Sequence, residues 1–236
     1  MECLLNTSKF YGWKHLVYFP DVGSNVEIVA DLIHKLTGKS FNPKERNVIK
    51  DREIRSSLDW IFQHFHILTK KDVKAKMTPF QFYDYAVELK QKSGLQTASI
   101  DSWKDLSHPY HEFGGYAQYL EVVLPYRNQI AEDNELHLHT IIHPKLTEKI
   151  NGKRSVPSPY DLKGGSEWFN SGKCMITVHR EDLNYNQAII NFNKIKPRSA
   201  GQIGQLILWF DKEKFLYYEQ ENPAPNVYNK IYAQEK

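Results

Sequence analysis

Apolar and polar positions divide the N-terminal part of the chain into short strands and amphipathic helices. Residues 2–10 have the pattern of the end of a helix, and the apolar run HLVYF that follows Gly12 and Trp13 predicts a short buried strand. From Asn25 to Leu36 apolar residues recur on one helical face, and Gly38 ends that pattern. A strand followed by a helix is the repeating unit of a parallel α/β sheet.

The same alternation continues to about residue 143. The patterns predict these further elements in chain order: a charged helix from Pro43 to about Phe65, a strand at HIL, a capped helix from Thr78 to Lys92, a strand at TASI, a helix from Phe113 to about Asp133 and a strand at LHLHTII.

A different pattern begins after that strand. Residues 144–172 are rich in Pro, Gly, Ser and Lys and predict a long loop broken by a short helical turn. Four strand-like runs follow with short turns between them: CMITVHR, AIINFNKI, QLILWF and KFLYYE. The sequence therefore predicts one α/β domain over residues 1–219 with an antiparallel C-terminal extension, and a polar tail at 220–236.

Composition narrows the class of protein without identifying it. The 236 residues are 41% hydrophobic and 25% charged, which is enough for one sizeable core. A net charge of +3 is too small to indicate nucleic-acid binding, because that requires clustered Lys and Arg. Cys3 and Cys174 have no metal-like spacing, and no long apolar run is present. We expect a soluble cytoplasmic protein with no membrane segment.

Asp101 is the first candidate for chemistry. It ends the predicted strand TASID, and open α/β sheets bind ligands beyond the carboxyl ends of their strands. An aspartate there is suited to hold the Mg²⁺ of a nucleotide. Aspartate is equally a common helix-capping residue, and the local sequence leaves both interpretations open.

Two further groups have candidate chemistry and an ordinary alternative. Alternation places His137, His139 and His143 on one side of their strand, which makes a zinc site conceivable, although ordinary strand histidines are far commoner. Alternation also places Lys194 and Lys196 on one side of a later strand, where two cations would meet phosphate oxygens. The alternative there is a solvated basic loop.

Taken in order, several motifs resemble one family. They are GWKHLVYFPD, TGKSF, IDSWKDL, IIHP, VPSPYDLKGGSEWFN, ITVHRE and KIKPRSAGQIG. This series resembles the RecA-like P-loop NTPase motor domain of hexameric replicative DNA helicases. The similarity is to the phage and bacterial primase-helicase and Twinkle-like branch, in which a toprim primase often precedes the motor. It extends from about Gly12 to Tyr218.

The resemblance implies roles for particular residues. Asp101 matches the Walker B aspartate that orders Mg²⁺, His143 matches the residue that senses the γ-phosphate, and Asp21 stands where the family has its catalytic glutamate. Lys194 and Lys196, with Arg198 beside them, stand where a K-x-R pair reaches the nucleotide of the neighbouring subunit. Residues 159–170 correspond to a loop that contacts single-stranded DNA, and its candidate contacts are Lys163, Gly164, Gly165, Ser166, Trp168 and Asn170. Trp168 and Phe169 are as often core residues as stacking residues.

Three departures limit what the resemblance implies. Asp21 is one methylene shorter than glutamate, and Lys196 offers a point charge where arginine would offer a bidentate fork. The third is an absence: no G-x-x-x-x-G-K-[ST] run occurs in the 236 residues. That loop provides the main grip on a nucleotide, so we expect a domain without its first strand and phosphate loop, with little or no ATPase activity alone.

Three functions are compatible with these features. The first is part of an ATP-dependent helicase motor of a bacterium or phage, using ATP and Mg²⁺ once a phosphate loop is supplied, with single-stranded DNA, ring subunits or a chain carrying that loop as partners. The second is a non-catalytic RecA-like module that binds single-stranded DNA or a helicase ring. The third, a zinc hydrolase built on His137, His139 and His143, ranks last, and no zinc is expected.

Overall fold

The structure is a computed structural model that describes residues 1–69, 77–145, 149–150, 153–180 and 186–219. The predicted tail at 220–236 lies outside the described residues. The helices of the described part are α1 Glu2–Tyr11, α2 Asn25–Thr37, α3 Asp51–His64, α4 Pro79–Ser93, α5 Tyr116–Asp133 and α6 Gly165–Ser171. None of them is long and apolar enough to cross a bilayer.

The strands form two larger sheets and one small one. Their bounds are β1 His15–Tyr18, β2 Phe65–Leu68, β3 Thr97–Asp101, β4 His137–Ile141, β5 Lys149–Ile150, β6 Lys153–Arg154, β7 Cys174–His179, β8 Gln187–Ile195, β9 Gly204–Asp211 and β10 Leu216–Tyr218. The first sheet is parallel in the order β2-β1-β3-β4, and the second is antiparallel in the order β10-β9-β8-β7. This confirms the predicted α/β core with an antiparallel extension.

Strand β1 lies in the interior of the parallel sheet and is buried along its whole length. Its side chains alternate between two apolar cores, as a strand covered on both faces requires. Leu16 and Tyr18 pack with α4 and α5 residues, whereas Val17 and Phe19 pack with residues of α1, α2 and α3. The helices therefore cover both faces of the sheet, and ligand access is left at the ends of the strands.

Helix ends follow the signals in the sequence where a cap is present. Ser24 and Glu27 form a capping box at the start of α2, and Gly38 ends the helix at φ 64°. Thr78 caps α4 through Gln81 in the same way.

Two helix starts were predicted wrongly. The charged helix begins at Asp51 rather than Pro43, because backbone hydrogen bonds between Ser40 and both Asn47 and Ile49 hold the preceding segment as a loop. Helix α5 begins at Tyr116 rather than Phe113. A short 3₁₀ turn at Tyr110–Phe113 precedes it, and the positive φ values of the two glycines that follow that turn separate it from the helix.

The antiparallel sheet is tied to the parallel core through its β9–β10 hairpin. The Glu2 carboxylate accepts a hydrogen bond from the Tyr217 amide, 3.1 Å from Oε2. On α2, the His34 ring packs against Phe215 with centroids 4.6 Å apart, and Lys35 donates to the Phe215 carbonyl. The extension is therefore fixed against α1 and α2.

Candidate functional site

Asp21, Asp101 and His143 come together at the carboxyl edge of the parallel sheet. Asp101 is the last residue of β3, Asp21 follows β1 by three residues, and His143 follows β4 by two. His143 Nε2 lies 3.5 Å from Asp21 Oδ2. Three strands of a parallel sheet deliver their carboxyl ends to one edge, which is why residues far apart in the sequence meet there.

The carboxylates at this edge differ in their electrostatic surroundings. Burial raises the pKa of Asp101, and the nearby Asp21 carboxylate adds to that effect while His143 opposes it. The pKa of Asp21 is lowered instead, because the Lys104 ammonium hydrogen-bonds to it and His143 contributes in the same direction. Two acids with opposite shifts at one strand edge are typical of a functional site.

Sequence reasoning missed three groups of this edge, namely Ser102, Lys104 and Asp105. Lys104 Nζ lies 3.0 Å from Asp21 Oδ2, and the Ser102 hydroxyl lies 3.5 Å from the same oxygen. Ser102 also donates to Asp105 Oδ2 over 2.9 Å. No sequence signal identifies them, because their directions depend on the 3₁₀ turn Trp103–Asp105 that follows β3.

The donors at this edge suit Mg²⁺ that arrives with a nucleotide. Mg²⁺ in such sites takes one or two carboxylates and fills its other positions with water and phosphate oxygens. Asp101 supplies a half-buried carboxylate at the strand end. Within the described residues no group of three or more His, Cys, Asp or Glu side chains forms a complete metal cage.

The histidines considered for zinc have other contacts. His137 stacks on Trp13 with ring centroids 5.5 Å apart, and His139 Nδ1 lies 2.9 Å from Ser99 Oγ. His143 faces Asp21. The described structure therefore offers nothing in support of the zinc hydrolase.

The basic residues at the end of β8 have different surroundings. Lys194 is only 8% exposed, and its ammonium donates to the carbonyl of Phe169 and, over 3.2 Å, to that of Asn170. Lys196 and Arg198 are exposed beyond the end of the strand. Lys194 thus caps the last turn of α6, so any contact with a neighbouring nucleotide would require these bonds to break. The role of all three residues stays a prediction.

Three of the candidate DNA contacts are explained by packing within the chain. Trp168 is 2% exposed and packs edge-to-face on Trp103 at 5.0 Å, so its prediction as a base-stacking residue is corrected to a core role. At Gly165 a Cβ would lie 2.7 Å from the Pro159 carbonyl oxygen, and Gly164 begins α6 with φ 71°. Both glycines allow α6 to approach the chain before it.

The other three candidate DNA contacts lie on the surface. Lys163, Ser166 and Asn170 are exposed, and Tyr160 next to them is 62% exposed. The Lys163 ammonium lies 4.4 Å from the centre of the Tyr116 ring, a cation–π contact on the same surface. A basic and aromatic surface of this kind suits single-stranded nucleic acid.

Comparison with known proteins gives a structural answer only. No family model and no curated protein matches the chain. The solved ATPase domain of one DnaB-like helicase matches with a TM-score of 0.70 and 14% identity over 92% of this chain and 78% of that one. A second DnaB-like replicative helicase, in a structure describing its interactions with primase, matches with a TM-score of 0.62 and 15% identity over 87% of this chain and 51% of that one. The chain therefore has the RecA-like fold of the ATPase domains of DnaB-like replicative helicases.

Proposed function

We propose that this chain is part of the motor domain of a replicative DNA helicase, in which ATP hydrolysis at subunit interfaces drives movement along single-stranded DNA. The observation that carries this proposal is the convergence of Asp21, Asp101 and His143 at the carboxyl edge of the parallel sheet. Each comes from a different strand, and the fold is that of helicase ATPase domains. The setting we propose is the cytoplasm of a bacterium or phage-infected host.

The edge residues divide the work of phosphoryl transfer. Asp101 is placed to hold Mg²⁺, which when bound neutralises charge on the phosphate oxygens. Asp21, with its lowered pKa, remains an anion at neutral pH and accepts a hydrogen bond from the attacking water. His143 presents an imidazole nitrogen to the same region and is suited to contact the terminal phosphate.

The phosphate loop must come from outside the 236 residues. No G-x-x-x-x-G-K-[ST] run occurs in them, and backbone N–H groups and a lysine from such a loop provide most of the grip on a nucleotide. We propose that another segment or chain supplies it. A ring neighbour would in turn receive Lys196 and Arg198, the exposed cations beyond β8.

The DNA-contacting surface of this proposal is the exposed part of residues 159–170. Lys163 supplies positive charge, Ser166 and Asn170 supply hydrogen-bond donors for the backbone, and Tyr160 supplies an exposed ring. Salt-dependent binding without base specificity follows from this chemistry.

The second candidate is a non-catalytic module that binds single-stranded DNA or a helicase ring. One observation favours it: Lys104, His143 and Ser102 already surround Asp21 Oδ2, so the oxygen that would orient the water is occupied within the chain.

A titration with a fluorescent ATP analogue and Mg²⁺, with and without single-stranded DNA, tests the proposal. We expect DNA binding that weakens as salt rises, and nucleotide binding in the millimolar range that Asp101→Asn weakens further. Lys163→Ala should reduce DNA binding, whereas Lys92→Ala, which removes an exposed cation from α4, should not.

The outcomes separate the two candidates. DNA binding combined with nucleotide binding that Asp101→Asn leaves unchanged, or with none at all in the presence of an added phosphate-loop segment, would favour the module. Failure to bind single-stranded DNA at low salt would contradict both.

A further inference from the structure

Lys104 is the closest ion-pair partner of the candidate water-orienting residue among the residues that the structure describes. Its Nζ lies 3.0 Å from Asp21 Oδ2, and His143 Nε2 and Ser102 Oγ each lie 3.5 Å from that same oxygen. This carboxylate oxygen thus has polar neighbours on several sides, and the lysine and the histidine are both able to be cationic. An oxygen surrounded in this way is not free to orient a water molecule.

The turn after β3 determines where Lys104 points. Trp103 is 4% exposed and anchors the turn in the core against Trp168. On its other side, Ser102 donates to Asp105 Oδ2 through its hydroxyl and, over 3.3 Å, through its amide. Because both flanking residues are fixed, the Lys104 stem leaves the turn in one direction, toward Asp21.

The Lys104 ammonium itself is not fixed in the way its backbone is. Its side chain is 62% exposed, and the Asp21 side chain is 36% exposed. An exposed ion pair of this kind contributes little to stability and exchanges partners readily. The ammonium is also within electrostatic range of Asp101 and Asp105, which adds to the negative field around it.

A nucleotide triphosphate would bring a stronger partner to the same place. Its phosphates must lie beyond the carboxyl ends of β1, β3 and β4, because Asp21, Asp101 and His143 are gathered there. A triphosphate carries several negative charges, whereas Asp21 carries one. A lysine on a flexible four-carbon stem is suited to follow the larger charge.

We propose that Lys104 is an exchangeable cation of this site: it holds Asp21 when no phosphate is bound, and it moves to the phosphate oxygens and releases Asp21 when a nucleotide enters. This inference rests on the proposed nucleotide site and adds to it a contact residue and a means of regulation. Asp21 becomes available to water only when phosphate has taken Lys104 away from it.

A double-mutant cycle with inorganic triphosphate as the probe tests the exchange. Binding is measured by calorimetry without Mg²⁺ for the wild type, Asp21→Asn, Lys104→Met and the double variant. Asp21→Asn frees the ammonium, so triphosphate should bind about two- to five-fold tighter than in the wild type. Lys104→Met should weaken binding by a similar factor. In the Lys104→Met background, Asp21→Asn should give a clearly smaller gain.

Two further variants separate this role from a structural one. Lys104→Arg keeps the cation and should restore most of the binding that Lys104→Met loses. Lys92→Met removes an exposed lysine that is paired with Glu88 on α4, and it should bind triphosphate as the wild type does. Circular dichroism of each variant checks that the fold is retained.

The results distinguish failure of this inference from failure of the proposed function. Additive effects of the two substitutions, or no triphosphate binding in any variant including Asp21→Asn, would overturn the role of Lys104. If nucleotide binding still responds to Asp101→Asn in that case, the motor proposal stands. A coupled cycle with nucleotide binding indifferent to Asp101→Asn would leave an anion site regulated by Lys104 and would overturn the motor.

Discussion

Acid should destabilise the protein through one buried histidine. The His15 side chain is fully buried in β1, with Nδ1 2.7 Å from Thr97 Oγ1 and its ring centroid 5.0 Å from that of Phe65. Burial lowers the pKa of His15 from 6.5 to about 4, and the nearby His139 adds to this effect. The imidazole is therefore neutral in the folded chain across the range in which it becomes protonated in the unfolded chain.

The sign and size of the effect follow from linkage. Because the folded-state pKa is depressed, the unfolded chain binds more protons between pH 4 and 6.5, and stability is lost as the pH falls through that window. Above pH 6.5 the contribution is fully present. The difference between the two pKa values corresponds to about 3 kcal/mol at most, and relaxation of the site makes about 2 kcal/mol a fair expectation.

Urea denaturation at a series of pH values measures this contribution. His15→Gln keeps a polar side chain but removes the titration, so the wild-type free energy of unfolding minus that of the variant should fall by about 2 kcal/mol from pH 7 to pH 4. Taking the difference removes the acid effects of carboxylates such as Asp21, which both proteins share. A difference that stays constant across this range would refute the reasoning, since it would mean that His15 is not kept neutral by burial.

Two further predictions concern α6. Lys194→Met removes the donor to the Phe169 and Asn170 carbonyls and should lower the free energy of unfolding by about 1–3 kcal/mol, whereas Lys196→Met at an exposed position should change it by less than about 0.5 kcal/mol in the same urea titration. Equal effects of the two would show that the cap contributes nothing. Gly165→Ala places a Cβ 2.7 Å from backbone atoms of the preceding turn and should cost about 1–3 kcal/mol by thermal unfolding, while Gly204→Ala, with no atom within 4 Å, should be nearly neutral. A tolerated Gly165→Ala would mean that α6 is free to move away from that turn.

Local patterns were sufficient for the elements and for one of the strand-end acids. The alternation of strand and helix predicted the parallel sheet, and the rule that ligands lie beyond strand ends identified Asp101 from its position in the sequence. The resemblance supplied Asp21 and His143, which are too far from Asp101 in the sequence for spacing to connect them. The fold brings all three to one edge.

Side-chain surroundings were beyond the reach of sequence patterns. Alternation placed Lys194 and Lys196 on one side of a strand, but it contains no information about which neighbour covers that side. In the structure α6 covers Lys194, while Lys196 lies beyond the strand and is exposed. Trp168 was predicted as a DNA contact or a core residue, and only packing against Trp103 decides between them. Lys104 carried no signal at all, since its direction is set by the turn that contains it.

The three candidate regions of this chain meet at α6. Its Trp168 packs against Trp103, the residue before Lys104, so the helix contacts the turn that positions the candidate nucleotide site. Its last turn is held by Lys194, two residues before the exposed Lys196. Its outer surface carries Asn170, a candidate DNA contact. Because closely packed interiors transmit displacement rather than absorb it, a shift of α6 on binding DNA would be felt at both ends of these contacts. The coupling that a motor requires therefore has a physical route here, through one aromatic contact and one buried lysine.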